Sequence, residues 1–314
     1  MMMKHFIKIA GNILWQKNLK ITKRIIKFSF LLCIITLLNM YAQQENTITC
    51  SVIDDAGDKA SIPCPLDFGK WEMIPEFSDE FNGSKLDETK WFPYNPTWKG
   101  RQPGFFSKEN VEVDGGMLHL FAKVENLPDL PAGYHTFTTA AVQSKNRIRY
   151  GYFEIRCRPM NSAASSAFWF YAIDDKLWTE IDVFEIGGKA PGKEFSYFTN
   201  VHVFKTPETG DKHWSDTFTW MAPYRLADEF HTYGFLWTND ELIWYVDGKE
   251  IRKRNNTDWH QTLTMNFDSE TMPEWFGLPD PKDLPSVFSI DYVRSWKRMD
   301  GDESTIEPVK EEGR

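Results

Sequence analysis

The sequence predicts an all-β protein, a sandwich of two curved antiparallel sheets whose concave side forms a long groove, and three observations predict it. From Trp71 to Lys297 apolar residues recur with a period of two in short runs broken by Gly, Pro, Asn and Asp, the pattern of half-buried strands joined by turns. No stretch keeps apolar residues at i, i+3, i+4 and i+7 over the ~11 residues that an amphipathic helix needs. The 13 Trp and 24 Phe supply flat apolar faces that fill a wide β core or stack on sugar rings. One large domain suffices, because a β sandwich can run to ~250 residues as a single unit.

The first residues read as a leader. Residues 1–44 carry no Asp or Glu but seven Lys or Arg, followed by an apolar run from Phe28 to Leu38, which is the grammar of a secretory signal peptide. The run is about half of the ~20 residues that cross a bilayer as a helix. The expectation is therefore a signal peptide over residues 1–42, cleaved after Ala42, and a secreted or periplasmic protein without a stable membrane anchor. Losing seven of the 36 basic residues leaves 29 against 45 acidic ones, which moves the formal charge from −9 to −16. That field disfavours nucleic acid and anionic membranes as partners. An anionic ligand would need a local basic patch.

Residues 43–64 form a polar N-terminal segment. Cys50 and Cys64 within it are the expected disulfide of an oxidising compartment, with the alternative that neither pairs. The sandwich domain follows over residues 65–298. Val111-Glu-Val-Asp, Met117-Leu-His-Leu-Phe-Ala, Tyr152-Phe-Glu-Ile-Arg-Cys and Leu242-Ile-Trp-Tyr-Val read as strands. Asp247-Gly248, between the last of these and Lys249-Glu-Ile-Arg, is a two-residue hairpin signal. Cys157 alternates with Phe153 and Ile155 and is expected buried in its strand. Residues 299–314, almost all polar or charged, are expected to form a disordered tail.

The most informative segment is Trp178-Thr-Glu180-Ile-Asp182-Val-Phe-Glu185-Ile. On a strand Glu180 and Asp182 share a face while Ile181 and Val183 point to the core. Glu185 has the wrong parity, and a carboxylate in the core would cost several kcal/mol. A β-bulge at Val183-Phe184 adds one residue and returns Glu185 to the face of Glu180. Three acids in a row repel one another, which a purely structural strand gains nothing from. Glycoside cleavage with retention needs one ionised carboxylate to attack and one protonated carboxyl to feed the leaving oxygen, ~5–5.5 Å apart. Two Glu four strand positions apart have Cα atoms ~13 Å apart, a gap that long side chains can mostly close. Asp182 between them raises the pKa of Glu185 by its charge. An acidic solvent-facing strand and a calcium site are the other readings of the same spacing.

The segment resembles the bulged signature Glu-x-Asp-x-x-Glu of glycoside hydrolase family 16. Phe77-Ser-Asp-Glu-Phe-Asn-Gly83, Gly151-Tyr-Phe-Glu-Ile-Arg, His231-Thr-Tyr-Gly-Phe-Leu-Trp, Trp244-Tyr-Val-Asp-Gly and Ser289-Ile-Asp-Tyr-Val-Arg resemble further strands of that family, across roughly residues 65–298. The resemblance implies a β-jelly-roll sandwich, with Glu180 as nucleophile, Asp182 as its assistant and Glu185 as acid/base. It also implies an endo-acting retaining hydrolase of β-glucans or of red-algal galactans such as agar, porphyran and carrageenan. No catalytic cofactor is implied, and the enzyme is expected to be monomeric. Many members hold a structural calcium on the convex side, and Asp291 in the last strand is the carboxylate here that would contribute to it.

Flanking residues bear on the glycan. Trp169, in Ser166-Ala-Phe-Trp-Phe, is placed to stack on a sugar beside the cut or to fill the core. Asn200-Val-His202-Val-Phe resembles the strand from which a histidine reaches the reacting sugar in algal galactanases; a structural histidine is the alternative. Trp98, Lys99 and Arg101, together with Lys205, Lys212 and His213 beside Trp214, could bind sulfate groups through charge-assisted hydrogen bonds, or could simply be solvated. Trp275, in Met272-Pro-Glu-Trp-Phe-Gly, could wall the groove. Phe184 stands where laminarinase-like members carry a methionine before the last glutamate, which favours a red-algal galactan, sulfated or neutral, over laminarin as the polysaccharide partner. An endo-β-1,3-glucanase is the alternative enzyme. A non-catalytic glycan-binding module would normally have lost Glu180 or Glu185, and a calcium-dependent adhesion domain would carry its acids in loops.

Overall fold

The computed structural model describes residues 49–53, 59–63 and 70–309. Thr49–Ile53 and Lys59–Pro63 pair as an antiparallel hairpin. The signal-peptide segment, the Cys50–Cys64 pairing and residues 310–314 lie outside the described residues. No described helix is long and apolar enough to cross a membrane.

Two antiparallel ladders make up the sandwich. The first runs in spatial order through Phe218–Met221, Ser196–Lys205, Trp178–Ile186, Ser165–Ile173, Leu263–Glu270 and Phe137–Arg149. The second runs through Lys249–Asn255, Glu241–Val246, His231–Trp237, Gly151–Arg158, Ser286–Arg298 and Met117–Val124. One short pair is parallel, Phe105–Phe106 against Thr138 and Thr139. Among the described residues the only helical pieces are three 3₁₀ turns, at Pro75–Phe77, Lys108–Asn110 and Pro281–Asp283.

The core lies between the ladders and follows from the alternation. Phe168, Phe170, Ile181, Val183, Met265 and Phe267 meet Phe153, Ile155, Cys157, Phe235, Trp244 and Val293. Cys157 is fully buried, and that burial pushes its thiol well above the usual range, as expected for an inert structural cysteine. The hairpin at Asp247-Gly248 forms as the sequence predicts. Both residues have positive φ, 49° and 75°, as the tightest hairpin turn requires.

The C-terminal segment corrects the expectation of a tail disordered from residue 299. Thr305–Pro308 pairs with residues 146–149 of the long strand Phe137–Arg149. Arg149 Nη2 donates to Thr305 Oγ1 at 3.0 Å, and the Val309 amide donates to the Lys145 carbonyl at 2.9 Å. Joining a ladder needs an unpaired edge with free N–H and C=O groups rather than an apolar sequence, so composition gives no sign of it.

Candidate active site

The strand Trp178–Ile186 lies between Ser165–Ile173 and Ser196–Lys205. Its bulge sits where the parity argument places it. Asp182 stands opposite Asn200 and Glu185 opposite Phe198, so two residues of this strand face Thr199 alone. Val183 and Phe184 both turn into the core, fully buried, and Glu185 returns to the groove face. A bulge disrupts ladder bonding, and the side chains behind the strand supply partners. Tyr197 donates its hydroxyl to the Val183 carbonyl at 2.6 Å, and Trp244 donates its indole N–H to the Asp182 carbonyl at 3.2 Å. Trp259 does the same for Glu180 at 2.9 Å. The strand Trp178–Ile186 is thus fixed by buried aromatic donors from the core side.

Cross-strand register builds the groove face in rows. Glu180 lies between Tyr171 and His202, Asp182 between Trp169 and Asn200, and Glu185 between Ala167 and Phe198. One strand further out, Asn266 neighbours Trp169 and Asp268 neighbours Ala167. The small Ala167 leaves space between Asp268 and Glu185. The resulting groove, of about 350 Å³, is lined by Glu180, Asp182 and Glu185 with Glu270, Arg101, Trp98, Trp169, Tyr171, Trp178 and Phe204.

This concentration of acids determines the electrostatics. Burial, then the charges of Asp182 and Glu270, push Glu180 and Glu185 well above the usual carboxyl range. Burial also raises Asp268, although the Trp169 indole N–H donates to its Oδ2 at 2.6 Å. Glu270 is pushed up to about 7 by burial against the opposing pull of Arg101, whose Nε donates to Glu270 Oε2 at 3.0 Å. His202 Nε2 lies 3.5 Å from Asp182 Oδ2 and 3.8 Å from Glu180 Oε1. The ligating atoms of Glu180, Asp182 and His202 all fall within 4.8 Å of one another. Several carboxyl groups whose affinity for protons is raised, close together in one groove, equip the site for acid/base and nucleophilic work on a bond to oxygen.

The residues expected from sequence divide into two groups. Glu180, Asp182, Glu185, Trp98, Arg101 and Trp169 line one groove, and His202 stands beside Glu180. Trp169 lies outside the main core, in a small cluster with Trp98, Ala167 and Tyr171. One face of it stacks on Tyr171 at 4.6 Å, and Trp98 stands perpendicular to it at 6.2 Å. Arg101 is not a free cation, being tied to Glu270. Lys205 likewise pairs with Asp211, at 3.4 Å. Trp275 packs on Phe198 at 4.8 Å and on Phe276, on the flank of the Glu185 end and outside the groove lining. Asp291 belongs to the other ladder, where it forms an ion pair with Arg156. Sequence reasoning missed Tyr171, Asp268 and Glu270. The alternation Asn266-Phe-Asp268-Ser-Glu270, the same polar parity as Glu180 and Asp182, is the signal that could have found the last two.

Comparison with known proteins agrees with this geometry. The family model described as "Beta-porphyranase A-D, GH16 domain" matches residues 71–298. Beta-porphyranase D of Zobellia galactanivorans is 28% identical over 91% of this chain and 74% of its own length. Beta-porphyranase B of the same organism is 29% identical over 74% of this chain and 86% of its own. The crystal structure of porphyranase B from Zobellia galactanivorans superposes with a TM-score of 0.65 and 27% identity, covering 79% of this chain and 99% of that one. With the bulged acid strand, the sandwich and the matched residues in agreement, the chain belongs to glycoside hydrolase family 16, with the β-porphyranase type of catalytic domain.

Proposed function

We propose that the protein is an endo-acting, retaining β-glycosidase that cleaves a red-algal galactan, with porphyran as its first candidate substrate. The observation that carries the reaction is the bulge, which brings Glu180, Asp182 and Glu185 to one face of one strand. Glu180 attacks the anomeric carbon as the glycosidic bond breaks, and Glu185 gives its proton to the departing oxygen. Glu185 then takes a proton from water, the water oxygen bonds to the anomeric carbon, and the bond to Glu180 breaks. Asp182, nearly buried between them, keeps the acid protonated before the first step by its negative charge. These carboxyl groups and one water account for every proton and bond, so the reaction as written requires no metal or organic cofactor.

The glycan is argued from two observations. The matching family model and the two relatives described above are named for porphyranase, and Phe184 occupies the position before the acid/base. Among the described residues that line the groove the one cation, Arg101, is engaged by Glu270, so the catalytic subsite suits an uncharged sugar and any sulfate would be met away from it, by Lys99 or Lys212. An open groove crossing a sheet suits a chain cut at internal bonds. Export through the predicted leader would bring the enzyme to such a polymer. The test is reducing-sugar release from porphyran, agarose, κ-carrageenan, laminarin and mixed-linkage glucan in parallel. Porphyran should give the highest kcat/KM; highest activity on laminarin would transfer the assignment to endo-β-1,3-glucanase.

A further inference from the structure

We propose that His213 is a positioning residue for this reaction, which donates a hydrogen bond to His202 Nδ1 and so holds His202 with its Nε2–H turned to Glu180 and Asp182. The inference rests on the reading of Glu180 as nucleophile. The two rings meet nitrogen to nitrogen, His202 Nδ1 to His213 Nε2, at 3.0 Å. Their planes differ by 12° and their centroids are 5.3 Å apart. A centroid separation of that size with so short an N···N contact means that the rings lie end to end and almost coplanar. The contact therefore runs in both ring planes, where an imidazole N–H and its lone pair point.

Only one proton fits between two nitrogens, so one ring donates and the other accepts. The far side of His202 decides which. Its Nε2 faces Asp182 Oδ2 at 3.5 Å and Glu180 Oε1 at 3.8 Å. When Glu180 is ionised for attack, a bare lone pair there would oppose anionic oxygens, so Nε2 carries the proton. A neutral His202 then has its lone pair at Nδ1, and His213 Nε2–H is the donor placed to reach it. The bond made at one ring nitrogen sets the role of the other.

The surroundings hold this pair flat. Phe204 lies parallel to His213 at 4.4 Å and to His202 at 5.2 Å, with interplanar angles of 6° and 8°. Trp178 stacks on Phe204 in turn, at 4.3 Å. One aromatic floor thus lies under both imidazoles. His213 immediately precedes the two-residue strand Trp214–Ser215, which pairs with His202 and Val203, so backbone register brings the rings together. His213 is itself exposed, and replacing it leaves the core untouched.

The experiment uses the whole enzyme, His213→Phe, which keeps a ring on Phe204 but has no donor, and His213→Gln, which keeps an N–H donor. Long-range ¹H–¹⁵N correlation spectra, with His202 assigned by the peaks lost in His202→Asn, should show the wild-type ring protonated at Nε2 and bare at Nδ1. His213→Phe should mix the tautomers and lower kcat about tenfold with KM changed less than about threefold, and His213→Gln should recover most of the loss. A protonated Nδ1 in the wild type, or wild-type kcat in His213→Phe, overturns the proposal. The spectra need no substrate, so failure of the glycosidase reading would show separately, as a wild-type enzyme without activity on any glycan but with the His202 tautomer in place.

Discussion

Each of the two ladders buries carboxyl groups, and they are treated in opposite ways. On the ladder away from the groove, Glu154 is 1% exposed and fully provided for. Tyr152 donates to its Oε2 at 3.0 Å and Tyr292 to its Oε1 at 2.7 Å, with Arg294 nearby as a countercharge. The register makes room for this arrangement. Gly234 stands opposite Glu154, and a Cβ there would come within 2.4 Å of the Tyr152 hydroxyl. On the groove ladder, Glu180, Asp182, Glu185, Asp268 and Glu270 share, among the described residues, the one guanidinium of Arg101. Asp268 Oδ1 is buried without a hydrogen-bond partner. Burial alone therefore does not mark a functional acid. A carboxyl group given its donors serves the fold, whereas acids crowded together and under-supplied store the unfavourable energy that chemistry uses.

Exchanging charge for an amide in the two places should separate those roles. The largest effect is expected at Glu180→Gln, which removes the nucleophile and leaves the groove, so turnover should fall by at least ~10³-fold. Its melting temperature should match or exceed that of the wild type, because a repelling charge is gone. Turnover near the wild-type level would end the assignment of Glu180.

Glu154→Gln should do the reverse. The amide N–H₂ cannot accept from the second tyrosine, so stability should drop by ~1–3 kcal/mol, or about 2–4 °C per kcal/mol in a domain of this size, while kcat stays as it was. Burial raises the Glu154 pKa above its unfolded value. For a raised acid the associated stability is complete below the unfolded pKa of ~4.3 and is lost as pH climbs through the folded value. The wild-type advantage in melting temperature should thus be greatest in acid and shrink upward from there. A difference that grows with pH would mean that Glu154 is held as the anion.

The comparison also shows what the sequence could reveal. The parity defect between Glu180 and Glu185 is local, nine residues of one strand, and it indicates both the bulge and the chemistry. Asp247-Gly248 is equally local, and the turn forms as written. Arg101–Glu270 joins residues 169 apart, and the Thr305–Pro308 strand depends on an edge left open by residues 146–149. Those partnerships are set by which strands lie side by side, and no window along the chain contains both members. The fate of the aromatic residues is intermediate. Trp169 was recognisable as a groove residue, but the stacking of Tyr171 on its face and the retreat of Trp275 behind Phe198 follow from cross-strand rows alone.

The smallest expected effect concerns Glu270, the one groove acid with a countercharge, and it tests whether crowding tunes the catalytic pair. In a retaining mechanism the acid limb of kcat/KM follows ionisation of Glu180 and the alkaline limb follows loss of the Glu185 proton. Burial pushes Glu270 up to about 7. Below that pH it is largely neutral and exerts little pull, and above it the anion helps Glu185 keep its proton. Glu270→Gln should therefore draw the alkaline limb down by roughly 0.5–1 unit, a shift of ~1 kcal/mol, and move the acid limb the same way by no more than that, since its charge raises Glu180 as well as Glu185. Arg101→Met should act in the opposite direction. The guanidinium favours the ionised forms of both Glu180 and Glu185, so its loss should move both limbs upward. Profiles of kcat/KM for the two variants, recorded at constant ionic strength, would then be displaced to opposite sides of the wild-type profile. If both variants displaced it to the same side, the charges of Glu270 and Arg101 would not be what tunes Glu180 and Glu185, and crowding would have to be given up as the source of their protonation.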